Sequence, residues 1–239
     1  MKVSLMITCL GDVFFPDVGI ATVRLLRRLG VEVDFPQAQT CCGQPHFNSG
    51  YHDDARMIAR HTIQAFVGDR LIVTPSGSCA AMVKLEYPKL FEDDLIWDGR
   101  AEDLARRTHE LSDFLVNVLK VEDVGARFSG KVTYHMACHL RGLGIQDEPL
   151  RLLQNVKDLQ YVALERSDEC CGFGGSFSVR YPQISGAMVR DKVDFIEKTG
   201  ADVVVATDAG CLMNIAGCLH RRQSKVKAMH LAEILVLSS

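Results

Sequence analysis

The stretch "LIVTPSGSC" (residues 71–79) decides the fold. Its first four residues show no polar alternation, the pattern of a strand covered on both faces, as in a parallel sheet. A small-residue loop follows and opens a helix, with Cys79 just past the strand. "VVVATDAGC" (203–211) has the same design. Working outward, cysteines stand at 9, 41, 42 and 79, and again at 138, 170, 171 and 211, with Cys218 left over. The first three recur 129 residues later and the fourth 132 residues later, so the second half carries a three-residue insertion. Each half reads Cys, 31 residues, Cys-Cys-Gly, 35 or 38 residues, Cys. "ELSDFLV" (110–116) also resembles "HLAEILV" (230–236). The chain is an internal duplication.

Strand-like and helical stretches alternate in both halves. "VSLMIT" (3–8), "VEVDF" (31–35), "KVTYHMA" (131–137), "LQYVAL" (159–164) and "DVVVAT" (202–207) read as strands. "DVGIATVRLLRRLG" (17–30), ending at a capping glycine, and "DDARMIARHTIQAF" (53–66), capped by Asp53, have helical spacing. So do "EPLRLLQNV" (148–156) and "ISGAMVRDKVDFIEKTG" (184–200). This order predicts an α/β fold of two pseudo-repeat halves, 1–125 and 126–239, with parallel sheets flanked by helices. "KVEDVGARFSG" (120–130) is the boundary.

Of 239 residues, 47% are hydrophobic and 24% charged, and the net charge is −3. That balance excludes nucleic acid as an expected partner. No run approaches the ~18 apolar residues of a membrane helix. "MKVSLMITCLGD" (1–12) lacks the long apolar core of a signal peptide, so a cytoplasmic protein is expected. Nine cysteines in a reducing compartment point to metal or redox chemistry rather than disulfides.

Cys9, Cys79, Cys138 and Cys211 follow strands and should sit at the carboxyl edge of the sheets, where open α/β folds place their sites. Cys41, Cys42, Cys170 and Cys171 lie in loops that can cover the same edge. Adjacent cysteines are poorly placed to bond each other, but adjacent thiolates can reach two metals of one centre. The glycine after each pair allows φ > 0 and close backbone approach. N–H groups of such loops and of helix N-termini can donate to sulfur. An all-thiolate set selects zinc or iron–sulfur centres.

Cys218 lies seven residues after Cys211 and reads as core, with a ligand role left open. His135 and His139 flank Cys138 in "YHMACHLRG" (134–142) and are the catalytic candidates, with plain packing as the competing reading. His46 reads as a loop residue, and His109 and His230 as packing or capping groups. "GFGGSF" (172–177) lacks the last glycine of a dinucleotide fingerprint.

"CCGQP" (41–45), "NSG" (48–50), "CCGFGGSFSV" (170–179) and "SGAMVRDKV" (185–193) resemble the cysteine-rich CCG-domain iron–sulfur proteins, over essentially the whole chain. The likeness is to members serving lactate utilisation. Relatives include the iron–sulfur subunit of glycolate oxidase, a subunit of anaerobic glycerol-3-phosphate dehydrogenase and the catalytic subunit of heterodisulfide reductase. The resemblance implies an iron–sulfur redox subunit, part of an oxidoreductase complex that turns L-lactate into pyruvate. Its partners would be a ferredoxin-like iron–sulfur subunit and a third subunit. Heterodisulfide reductase ends each motif in Cys-x-x-Cys, giving five thiolates. Here Met82 and Asn214 stand at those places. Four thiolates per half remain, the count of a [4Fe–4S] cluster, up to one per half, or of a closed zinc site. A thiol–disulfide enzyme and a zinc-stabilised scaffold are the alternatives.

Overall fold

The computed structural model describes residues 1–7 and 9–238. Eight strands form two four-stranded sheets. The first contains β1 (Lys2–Leu5), β2 (Glu32–Asp34), β3 (Leu71–Thr74) and β4 (Thr108–Glu110), in the order β2-β1-β3-β4. The second contains β5 (Arg127–Tyr134), β6 (Lys157–Tyr161), β7 (Val203–Ala206) and β8 (Lys227–His230), in the order β6-β5-β7-β8. Every pairing is parallel. This is the α/β architecture expected, built twice with one strand order. The expected first strand ended on Thr8, which lies outside the described residues; β1 ends at Leu5.

Side chains alternate across each sheet. Val73 of β3 and Val205 of β7 face one continuous core between the sheets. Helix Pro16–Arg28 supplies Ala21, Leu25 and Leu26 to it, and helix Leu231–Val236 supplies Leu231, Ala232, Ile234 and Leu235. Arg28 reaches from the first of these helices to the carbonyls of Leu235 and Val236. The neighbouring positions face outward. Ile72 packs under helix His52–Ala65, and Val204 under helix Pro182–Lys198. The result is helix, sheet, helices, sheet, helix, with the middle layer shared by both halves.

Gly30 has φ +77° and closes its helix: its N–H reaches Arg27 O and that of Val31 reaches Leu26 O, a Schellman ending. Asp53 is not a cap. Helix His52–Ala65 starts after Tyr51 without a side-chain cap, and Asp53 instead pairs with Arg56 one turn on. The strands β4 and β8 are edge strands that the sequence pattern did not reveal.

In each sheet the chain leaves the two central strands toward opposite sides. Their following loops therefore part, leaving a crevice at the carboxyl edge. Among the described residues, no helix is long and apolar enough to cross a membrane.

Candidate metal centre

Cys9 opens helix Cys9–Phe14 after β1, and Cys138 opens helix Cys138–Gly142 after β5. Cys79 lies in the first turn of helix Gly77–Ala81 after β3, and Cys211 in that of helix Ala209–Arg221 after β7. The Cys-Cys-Gly loops complete the sets. All eight thiols line one cavity of about 330 Å3. The two sets thus face a shared space rather than opposite ends of the molecule.

Hydrogen bonds hold each loop in place. Gln39 bridges Ile7 N and Leu5 O, tying the segment before Cys41 to the end of β1. Tyr87 donates to Cys42 O at 2.8 Å, and Asn214 donates to Cys171 O at 2.8 Å. Gly43 has φ +85° and Gly172 φ +81°. Each points its N–H at the first cysteine of its pair, Gly43 to Cys41 Sγ at 3.4 Å and Gly172 to Cys170 Sγ at 3.3 Å. A side chain at Gly172 would meet Ser185 O at 2.8 Å.

The halves interlock around the cavity. Asp208 accepts the N–H of Ser78 at 2.9 Å and that of Gly210 at 3.0 Å. Gly77 N donates to Thr207 O, and the His230 ring meets Pro75 O at 3.0 Å. Gln44 Nε2 lies 3.3 Å from His139 Nε2, and Ser49 Oγ lies 2.8 Å from Ser176 Oγ.

Within each set one thiol is made acidic by the others. The thiols of Cys42 and Cys9 and the Gly43 N–H donate to Cys41 and hold it far below the ordinary thiol range. Cys138, Cys171 and the Gly172 N–H do the same for Cys170. The donors Cys9, Cys42, Cys138 and Cys171 are pushed up, first by those hydrogen bonds and then by burial and neighbouring charge. The sulfurs run as a string: Cys9 to Cys41 is 3.6 Å and Cys42 to Cys79 is 3.3 Å. Among the described residues, one group of three ligand-type side chains has its donor atoms all within 4.8 Å: His135, Cys171 and Cys211.

His139 stands on the cavity wall, its Nδ1 3.7 Å from Cys138 Sγ. His135 is behind the wall and fully buried. Burial, and then the nearby Lys192 ammonium, holds its pKa down to about 4, so the ring is neutral. Cys218 is buried among Ile215, Leu219 and Leu212 and does not line the cavity. Seven residues carry it about 10 Å further along the helix than Cys211. The two places where related proteins carry a further cysteine have other work here. Met82 is packed in the outer core, and Asn214 holds the Cys171 carbonyl.

The CCG cysteine-rich domain pattern matches residues 3–84 and again 132–216, spanning both sets. The chain belongs to the CCG cysteine-rich domain family. Full-length relatives carry the same name. Lactate utilization protein A of Bacillus licheniformis is 54% identical, covering 98% of this chain and 99% of that protein. Those of Bacillus subtilis (54%) and a Geobacillus species (52%) match over the same shares. Among solved structures, a hypothetical protein from Helicobacter pylori covers 98% of this chain with a TM-score of 0.66 at 10% identity. This chain spans 48% of that protein's length, and the likeness is one of fold. In this CCG protein the donor set, eight thiols in two strings with one N–H per string aimed at sulfur, is that of a soft-metal or metal–sulfide centre.

Proposed function

We propose that this chain is the iron–sulfur redox subunit of a multi-subunit, cytoplasmic system oxidising L-lactate to pyruvate. The observation that carries it is the pair of four-thiol strings opening onto one cavity, in a chain more than half identical to proteins named for lactate utilisation. Cys9, Cys41, Cys42 and Cys79 would hold one [4Fe–4S] centre, and Cys138, Cys170, Cys171 and Cys211 the other. We place the division between these halves at residues 125 and 126. Such centres supply one-electron transfer when bound.

The resemblance to the cysteine-rich CCG-domain iron–sulfur proteins favours a polynuclear centre over a zinc ion. The loop N–H groups and the N-termini of helices Gly77–Ala81 and Ala209–Arg221 place partial positive charge toward the sulfurs. His139 and Gln44 offer polar groups to whatever enters the cavity, and His139 is the candidate for holding a proton there. The chain shows no flavin or nicotinamide fingerprint, so hydride removal falls to the partners, a ferredoxin-like iron–sulfur subunit and a third subunit.

The test is anaerobic purification with iron, sulfide and zinc assays, followed by lactate-dependent dye reduction with and without the partners. We expect iron and sulfide near four each per set, and turnover only in the reconstituted mixture. Stoichiometric zinc without sulfide would favour the scaffold reading. Brisk lactate oxidation by the isolated chain would overturn the relay reading.

A further inference from the structure

The two halves differ where their sites should match. Shifting by the 129-residue repeat places His135 opposite Met6. Lys192 stands where the first half has Thr62, because Ser185 packs on Gly172 as Ala55 packs on Gly43, and each lies seven residues before its partner. Met6 is a buried apolar residue of the first half's outer core. His135 and Lys192 are deeply buried, at 0% and 1% exposure, yet polar. Lys192 is satisfied: its ammonium donates to Arg166 O. His135 is not. Neither ring nitrogen makes a well-formed hydrogen bond among the described residues; the Ser167 carbonyl is the polar group that the ring faces. A buried imidazole whose nitrogens lack well-formed hydrogen bonds has given up its hydration for little in return.

Its surroundings give the reason for keeping it. A ring nitrogen of His135 lies within 4.8 Å of both Cys171 Sγ and Cys211 Sγ. Among the described residues the first set has no such nitrogen, and a thioether takes its position. We infer that His135 is a fifth donor to the second centre, binding it directly through imidazole, so that the two centres are chemically unlike. The inference rests on the iron–sulfur reading of the second set.

The assignment resolves the ligand count without Cys218. Asn214 stands where related proteins have a fifth thiolate, and it is engaged with Cys171 O. His135 follows the end of β5 and reaches the Cys171 and Cys211 sulfurs from there. A neutral imidazole adds no negative charge, and histidine ligation raises an iron–sulfur potential relative to thiolate. The cation of Lys192 acts in the same direction. The second centre should therefore be the easier of the two to reduce.

The experiment is pulsed electron paramagnetic resonance of the reduced protein, grown with unlabelled or 15N-histidine. Cys42→Ser is used to empty the first set, so that the signal belongs to the second. We expect a directly coordinated histidine nitrogen whose coupling changes with the label. It should vanish in His135→Met and persist in His139→Ala. His135→Met should also shift the potential of the second centre downward while leaving the first in place. An iron–sulfur signal without histidine coupling, or coupling that survives His135→Met, would overturn the assignment while leaving the function standing. Absence of any iron–sulfur signal would sink both. If His135→Met does not fold, the labelled Cys42→Ser spectrum decides alone.

Discussion

Asp208 Oδ2 accepts the backbone N–H of Ser78 at 2.9 Å, so a carboxylate of the second half caps a helix of the first. Its other oxygen caps its own helix at Gly210 N, 3.0 Å away. One side chain thus holds both Cys79 and Cys211 helices at the cavity. Asp208→Ala should cost about 2 kcal/mol, the worth of a charged hydrogen bond plus a cap. Urea unfolding measures it, and iron content should fall in both sets. A loss confined to the second set would contradict the shared role.

The paired thiols give a second prediction. Cys42→Ser should remove about half the iron and Cys171→Ser the other half, since each belongs to its own string. Cys171→Ser should abolish lactate-dependent electron transfer in the reconstituted system while partner binding persists. Equal emptying of both sets by either change would show a single joint centre.

Gly172 has φ +81° and no room for a side chain beside Ser185 O. Gly172→Ala should destabilise by about 1–3 kcal/mol from backbone strain alone. Gly43 has the same φ sign but its nearest neighbour to an added methyl is 3.4 Å away, so Gly43→Ala should cost less. Thermal unfolding of the two variants ranks them, and the reverse order would contradict the packing.

Burial raises the Glu110 carboxyl to about 7. The folded protein therefore keeps this proton to higher pH than the unfolded chain does. The stability it contributes is full below about pH 4.3 and is lost as pH rises through 7, a change of about 4 kcal/mol. His230, which burial lowers to about 4, acts oppositely and costs stability as pH falls from about 6.5. Glu110→Gln should erase the first component only. Denaturation at pH 5 and 8 checks it: the variant should lose less stability than the parent on going to pH 8.

The sequence made β3 and β7 legible because buried parallel strands leave unbroken apolar runs. It could not show β4, whose "THE" (108–110) is polar yet buried at Thr108 and Glu110 by contacts with distant residues. Asp53 looked like a cap because it precedes a periodic run, but the helix begins a residue earlier and leaves it free to pair with Arg56. The eight cysteines were visible from spacing alone. Their convergence on one cavity was not, because it depends on how Leu25, Leu26, Leu231 and Leu235 pack between the sheets. His135 was visible as a neighbour of Cys138, but its burial against Cys171 and Cys211 is a property of the folded sheet edge.

The shared middle layer has a consequence for how such a protein can arise. A single repeat would expose the apolar face of helix Pro16–Arg28 or its counterpart, and could persist only as a symmetric pair. Such a pair depends on concentration and must carry two identical sites. Joining the copies in one chain removes both constraints. Each half can then accept substitutions that the other does not share, as Met6 and His135 already do. The duplication is what permits one pocket to be walled by two unlike sets of side chains.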